Sequence, residues 1–418
     1  MSPTSRTALR RALLLGATVA LAACRQDTPT TPAASPMPAS TEPALSLAGN
    51  GLWADDVGGT TAGGSQYRML VPVDWNGDVV FYAHGFRDAA APVVLGEEQD
   101  NFDDLRDWLG GKGYAVAYSS WKENGVATAE GTLATHQLRG LFAASFGQPV
   151  RSYLAGHSLG GLVAVRLAEK FPGQYDGALP MCGAVGGMRA EAQYLGDARA
   201  LWDVFFPGTL PGDAGSLPEI TEVNAQIVGP VIAAITTQPG GFQRAGAITR
   251  IAQTPVPFVT NAGPVVQGQT LVGSLAYVLA FHARGLDDLT SRTHGHLPYD
   301  NTDTEYTGLL DAATLGFVNA TVMRFESTPD AQNFLDRNYE PTGELRIPTV
   351  SIHTALDPAV PLFHEDTLRA RATRAGSADM LLQRTTPAYG HCTFQLSEMQ
   401  GAFNALESWV RTGVKPAS

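Results

Sequence analysis

One serine in the chain sits in a pattern that carries chemistry: Gly156, His157, Ser158, Leu159 and Gly160, of the form G-x-S-x-G. A serine hydroxyl is a poor nucleophile at neutral pH, and it becomes a good one only when a general base takes its proton and a third group orients that base. In a chain with 45 glycines among 418 residues the bare pattern decides little. Its surroundings decide more. The strand-like segment Arg151 to Ala155 ends directly before the motif, and a helical pattern from Leu159 to Phe171 begins directly after it, stopped by Pro172 and Gly173. A strand, a sharp turn and a helix leave a serine exposed at the tip of a sheet. The glycines suit that turn because side chains at the neighbouring positions would clash, and the helix N-terminus favours a developing oxyanion beside it. Nine histidines and forty carboxylates are available as base and orienting acid.

The elements that must position these groups are legible from periodicity. From Gln66 to Val73 the residues Tyr67, Met69, Val71 and Val73 alternate as in a half-buried strand, and Asp78 to Ala83 (DVVFYA) is a continuous apolar run, as in a fully buried one. Phe102, Leu105, Trp108 and Leu109 have helical spacing, Tyr114 to Tyr118 reads as a strand, and about 20 helical residues follow. Another strand is expected at Gly177 to Cys182. The rhythm is lost for about 155 residues after Gly187, where only Glu191 to Phe205 and Gln269 to Ala283 look helical. It returns with the strand Arg346 to His353, a helix around Leu362 to Arg374, the strand Met380 to Arg384 and a last helix with Leu396, Met399, Phe403, Leu406 and Val410 on one face. Alternating strands and helices imply a mostly parallel sheet covered on both faces.

With this elbow in this alternation, residues 65–187 and 345–412 resemble the α/β-hydrolase superfamily. The resemblance implies an α/β fold with a mostly parallel central sheet, helices on both faces, and residues 188–342 inserted as a largely helical cap over the strands' carboxyl ends. It also implies a chain order of nucleophile, acid and histidine. His391, in Ala388-Tyr389-Gly390-His391-Cys392, lies between the last strand and the last helix, where the family's histidine lies. His84, His136 and His157 precede the nucleophile; His282, His294 and His296 fall in the insertion; His353 is in the strand before the acid, and His364 is in the helix after it. Asp357 opens Asp357-Pro358-Ala359-Val360-Pro361, which resembles the family's D-x-x-V-P acid loop, whereas Glu365 and Asp366 come a helical turn or more later. The expected oxyanion donors are the amide of Leu159 and that of Phe86, because His84-Gly85-Phe86 resembles the H-G-x oxyanion loop. Gly85 permits close approach of the backbone, His84 is expected to orient rather than to catalyse, and His157 and Trp121 are placed near the pocket. The activity implied is hydrolysis of small-molecule or oligomeric carboxylic esters through an acyl-enzyme, with no cofactor and no metal. An exported exo-peptidase or amidase with the same triad, and an inactive hydrolase fold used as a binding module, remain as other readings. A pair of carboxylates in the cap, gripping a free α-amine, would mark the peptidase.

The N-terminus adds a location. Met1 to Arg11 is a short basic segment and Ala12 to Ala20 an apolar one, far below the ~20 residues of a spanning helix. Leu21, Ala22, Ala23 and Cys24 resemble the lipobox of bacterial lipoproteins, which implies cleavage after residue 23 and a lipid anchor on Cys24. Arg25 follows, which favours the outer membrane or the cell surface. The expected organisation is therefore a signal peptide over 1–23, a Thr/Pro/Ala-rich tether over 24–46, hydrolase core over 47–187, cap over 188–342 and core again over 343–418. Removing the signal takes away three arginines and no acid, and the formal charge goes from −12 to −15. Such a surface argues against nucleic acid and anionic lipid as charge-bound partners; the oligomeric state is left open. Cys182 and Cys392 are the remaining cysteines, and in an oxidising compartment a disulfide between them is allowed. Some ferulate esterases and tannases join the residue after the histidine to a cysteine directly before the nucleophile; here His157 occupies that place. Asp300 to Glu305 alternates oxygen-bearing side chains without the glycine and terminal glutamate of a calcium loop, and reads as a solvated turn. His294 and His296 have no ligating cluster around them for zinc.

Overall fold

The structure, a computed structural model, describes residues 51–96, 101–216, 218–257 and 264–417. The expected signal segment, Cys24 and the whole of the tether lie outside the described residues. The strands are β1 (Trp53–Thr60), β2 (Gln66–Pro72), β3 (Asp78–Ala83), β4 (Ala115–Ser119), β5 (Arg151–His157), β6 (Gly177–Met181), β7 (Thr349–Leu356) and β8 (Leu381–Tyr389). They form one sheet in the order β1-β2-β4-β3-β5-β6-β7-β8. The pairs β1–β2 and β2–β4 are antiparallel and the other five are parallel. This is the expected fold class, a mostly parallel sheet with helices on both sides.

The sequence of β3 shows why both faces are covered. Val79, Phe81 and Ala83 point to one side and Val80 and Tyr82 to the other, and all five are buried. On the first side they meet α2 (Thr128–Phe146) and α3 (Leu159–Lys170) through Leu138, Phe142, Leu162 and Val163. On the second they meet α1 (Phe102–Gly111) and the last helix, where Leu105, Met399, Phe403 and Leu406 close the core. The remaining helices are α4 (Met188–Phe205), α5 (Gly229–Thr237), α6 (Gly241–Ile251), α7 (Pro264–Phe281), α8 (Asp287–Arg292), α9 (Ala312–Thr321), α10 (Pro329–Asn338), α11 (Phe363–Ala375) and α12 (Leu396–Thr412).

Seven of these, α4 to α10, lie between β6 and β7, with no strand among the described residues there. Asp311 caps α9 and Thr328 caps α10 ahead of Pro329, and outside this stretch Gln395 and Glu398 close a capping box on α12. The apolar interior runs without a break from Val79 and Phe81 of the sheet to Trp202, Val231, Ile248 and Leu275 of the inserted helices. All described residues belong to one compact unit.

Candidate active site

β5 ends at His157, and the chain turns at once into α3. At the turn Ser158 adopts φ 54° and ψ −122°, a backbone conformation that side-chain-bearing residues rarely take. Two glycines make it possible. A Cβ at Gly156 would lie 2.3 Å from the carbonyl oxygen of Gly160, and one at Gly160 would lie 2.0 Å from that of Ala83. Backbone stands on both sides, so only glycine fits. The elbow is thereby pressed against the end of β3 and the loop that follows it.

Two further strand ends bring the other groups to this point. Ser158 Oγ is 2.8 Å from Nε2 of His391, which follows β8, and His391 Nδ1 is 2.6 Å from Oδ2 of Asp357, which follows β7. Asp357 is fully buried. Its Oδ1 accepts the amides of Ala359 at 2.8 Å and Val360 at 3.0 Å, which fixes the carboxylate and leaves Oδ2 to the imidazole. With Nδ1–H donated to the carboxylate, Nε2 is the nitrogen with a free lone pair, and it faces the serine hydroxyl.

Behind Asp357 lies a second buried layer that sequence reasoning missed. His353 is completely buried in β7; its Nδ1 donates to Glu365 Oε1 at 3.2 Å and its Nε2 to the carbonyl of Val360 at 2.8 Å. Both neighbours only accept, so both nitrogens carry protons. Burial opposes the resulting charge, but the hydrogen bond and charge of Glu365 outweigh it and hold His353 above its ordinary pKa. Glu365 is held below the usual carboxylate range: burial raises it, yet hydrogen bonds from His353, from Ser351 at 2.6 Å and from Gln383 at 2.6 Å outweigh burial. The His353 ring stands 3.8 Å from Asp357 Oδ2. Glu365, an alternative acid on sequence grounds, thus sits one layer behind Asp357 and does not touch His391. Asp366 is on the exposed side of α11 and pairs with Arg369.

The side expected to receive the oxyanion is built from the loop after β3. Leu159 is the first helical residue of α3, a position whose amide has no acceptor within its own helix. Leu159 and Phe86 both line the cavity at Ser158. His84 is buried, donates Nδ1–H to the carbonyl of Gly85 at 2.7 Å and lies 3.2 Å from that of Ser120. Burial, helped by Arg87, pushes its pKa down to about 3, so it is a neutral brace for the loop. Trp121 stacks on His84 with ring centroids 3.8 Å apart and rests on Gly131 of α2. It is part of the core and not of the cavity wall, because the loop after β4 turns its side chain inward at φ 58°. His157 points into the opposite layer, 3.0 Å from the hydroxyl of Tyr82, and burial pushes it to about 3 as well.

A cavity of about 450 Å³, its mouth included, opens at Ser158. The sheet side supplies Phe86, Val126, Leu159, Ala184 and Val360. The inserted stretch supplies Met188, Glu191, Ala192 and Leu195 of α4, and Phe281, Gly285, Leu286 and Leu289. Apart from Ser158, the single polar side chain in this wall among the described residues is Glu191. The spacing of Met188, Glu191, Ala192 and Leu195 places a carboxyl on the apolar stripe of a helix, a signal readable in the sequence.

Cys182, at the tip of β6, and Cys392, beside the imidazole, are joined by a disulfide with Cα atoms 5.3 Å apart. Both have positive φ, 44° and 56°. Among the described residues the one cluster of potential metal ligands is this cystine with His391, whose sulfurs are already bonded to each other. In the Asp300 turn, the carboxylate accepts from Thr302 and from Ser327, and Asn301 is buried against Tyr306.

No family model and no curated protein matches this chain. Among solved structures it is similar to lipase A of Candida antarctica, at 15% identity over 87% of this chain and 78% of that one, with a TM-score of 0.43. It is similar to feruloyl esterase B of Aspergillus oryzae at 15% identity over 86% and 81%, TM-score 0.41. A cell-wall-degrading esterase, LipA of Xanthomonas oryzae, is similar at 15% identity over 85% and 87%, TM-score 0.37. These likenesses are distant, and the fold stands on the strand order and on the turn at Ser158. By that order, with antiparallel pairing confined to the two neighbours of β2 and a strained serine elbow between β5 and α3, the chain has the α/β-hydrolase fold.

Proposed function

We infer that the protein is a serine hydrolase acting on carboxylic esters, with Ser158 as nucleophile, His391 as general base and acid, and Asp357 as the group that orients the imidazole. The observation that carries this reading is the hydrogen-bonded line from Ser158 Oγ through His391 to a doubly anchored Asp357, ending at an apolar cavity. Ser158 attacks the acyl carbon while Nε2 of His391 takes its proton. Negative charge gathers on the carbonyl oxygen beside the amides of Leu159 and Phe86. The imidazolium returns the proton to the leaving alcohol, and a water activated by the same nitrogen resolves the acyl-enzyme. An exo-peptidase needs a carboxylate pair for the α-amine, and among the described residues the cavity wall holds one carboxyl, Glu191. That favours esters.

Residues 188–342 act in this reading as a cap that sets acyl selectivity, supported by the eight cavity-lining residues they contribute. The lipobox at Cys24 supports export and lipid anchoring at the outer membrane or cell surface, and loss of azido-palmitate labelling in Cys24→Ala is the expected result if so. The test of the activity is a panel of p-nitrophenyl esters of rising acyl length beside aminoacyl anilides. Turnover of esters, with a length optimum moved by substitutions at Leu195 or Leu286, supports the reading. Preferential turnover of anilides contradicts it.

A further inference from the structure

Glu191 is almost wholly buried, yet it lines the cavity that opens at Ser158. Its Oε2 lies 2.8 Å from His364 Nε2, and His364 Nδ1 accepts the amide of Gly186 at 3.1 Å. The amide contact fixes the tautomer: the ring is neutral, with its one proton on Nε2, donated to Glu191. Burial keeps the ring so, with its pKa near 3. Oε1 makes no hydrogen bond to the described residues. The surroundings do not favour an anion. Burial, with Asp357 nearby, pushes the Glu191 carboxyl well above its ordinary pKa. A neutral carboxyl accepts best through its carbonyl oxygen, so the oxygen facing His364 is that one, and the hydroxyl is on Oε1. Its neighbours on that wall, Met188, Ala192, Leu195 and Leu286, have apolar side chains, and besides Glu191 the wall's one polar side chain among the described residues is that of Ser158.

The cavity is the acyl side of the site. His391, which must reach the leaving oxygen, is absent from its wall, whereas Phe86 and Leu159, placed for the carbonyl oxygen, are in it. We propose that Glu191 is a specificity residue which, donating a hydrogen bond inside the cavity, selects acyl chains bearing an ether or hydroxyl oxygen over plain hydrocarbon chains of the same length. A hydrocarbon chain filling the cavity drives water from Oε1–H and leaves the donor unpaired, while an oxygen in the chain pairs it; such a mismatch is worth about 5- to 150-fold in kcat/KM. The proposal rests on the esterase reading above.

The test compares p-nitrophenyl heptanoate with its isosteric oxa-analogues, one chain CH2 replaced by oxygen at successive positions, each rate normalised to hydroxide-catalysed hydrolysis. The expected result is a 5- to 150-fold preference of the full-length enzyme for at least one oxa-ester. Glu191→Leu removes the donor and should abolish the preference. Glu191→Gln keeps an acceptor for His364 and an N–H donor toward the cavity, and should retain it; this arm does not depend on the leucine variant folding. No preference in the unaltered enzyme, or one that survives Glu191→Leu, overturns the proposal. So does preference for a cationic aza-analogue that is lost in Glu191→Gln, because Glu191 would then act as a carboxylate. Ser158→Ala separates the two levels: residual hydrolysis there overturns the esterase reading, whereas Ser158-dependent hydrolysis without an oxygen preference overturns only the role of Glu191.

Discussion

Asp357→Asn separates the orientation of the imidazole from the stability of the fold. Oδ1 of Asp357 accepts two backbone amides at 2.8 and 3.0 Å, so the variant's carbonyl oxygen is held there and its NH2 group takes the place of Oδ2. That group would stand 2.6 Å from His391 Nδ1, donor against donor, unless Nδ1 gives up its proton. The proton then sits on Nε2, which faces Ser158 Oγ at 2.8 Å and can no longer accept from it. The wrong tautomer costs on the order of 10² to 10⁴ in kcat, with KM little changed. Glu365→Gln should do the reverse. It leaves the buried charge of His353 without its anion, a loss of about 3–5 kcal/mol of stability, while the Ser158–His391–Asp357 line stays intact. Steady-state kinetics on a p-nitrophenyl ester and urea denaturation of both variants read the two effects. A larger kcat loss in Glu365→Gln than in Asp357→Asn, or an unchanged kcat in Asp357→Asn, refutes the placement of the acid.

The fold should weaken as pH falls from about 6.5 toward 3. His84, His157, His282 and His364 are buried and neutral with pKa values near 3, so unfolding takes up a proton at each, and every proton contributes about 1.4 kcal/mol per pH unit across that window. His353 works the other way: its raised pKa stabilises the fold fully below 6.5, and the contribution is lost as pH rises through the folded value. Urea midpoints from pH 4 to 9 should therefore fall steeply on the acid side, and a flat acid limb contradicts the burial of these rings. Reducing the Cys182–Cys392 bridge, which spans 210 positions, should cost about 2–5 kcal/mol and loosen the loop that holds His391. Intact mass after alkylation under denaturing, non-reducing conditions should show no added alkyl group; two added groups mean that the thiols are free.

Where local pattern and tertiary role agree, the sequence was readable. DVVFYA became β3 with its expected ends, and the face of Leu396, Met399, Phe403 and Leu406 is the face α12 turns to the sheet. Strand β1 was missed because WADDVGGT has no apolar alternation. It is a strand by virtue of pairing with β2, where Tyr67 lies over Gly59 so closely that a Cβ would be 2.7 Å from its hydroxyl. The expected end of β8 at Arg384 fell short of Tyr389 because the strand passes through Pro387, which a sheet tolerates at its edge. Most inserted helices escaped because they are short and flanked by glycine and proline, and their stability comes from packing on α4 and α7. In the site, chain order and loop position suggested Ser158, Asp357 and His391, which the fold brings within hydrogen-bonding distance. Which carboxyl touches which imidazole is a matter of three dimensions. Nothing in one dimension pairs Glu365 with His353, or Glu191 with His364 across 173 positions.

The central claim is that Ser158 is the nucleophile. It is tested most directly by treating the folded protein with an alkyl fluorophosphonate and measuring intact mass and the labelled peptide. The account predicts a single adduct, on Ser158, with complete loss of ester hydrolysis, and neither adduct nor hydrolysis in Ser158→Ala, which should fold normally because the truncated side chain lies at the cavity mouth and supports no core. An adduct on another serine, or hydrolysis that persists in Ser158→Ala, contradicts it.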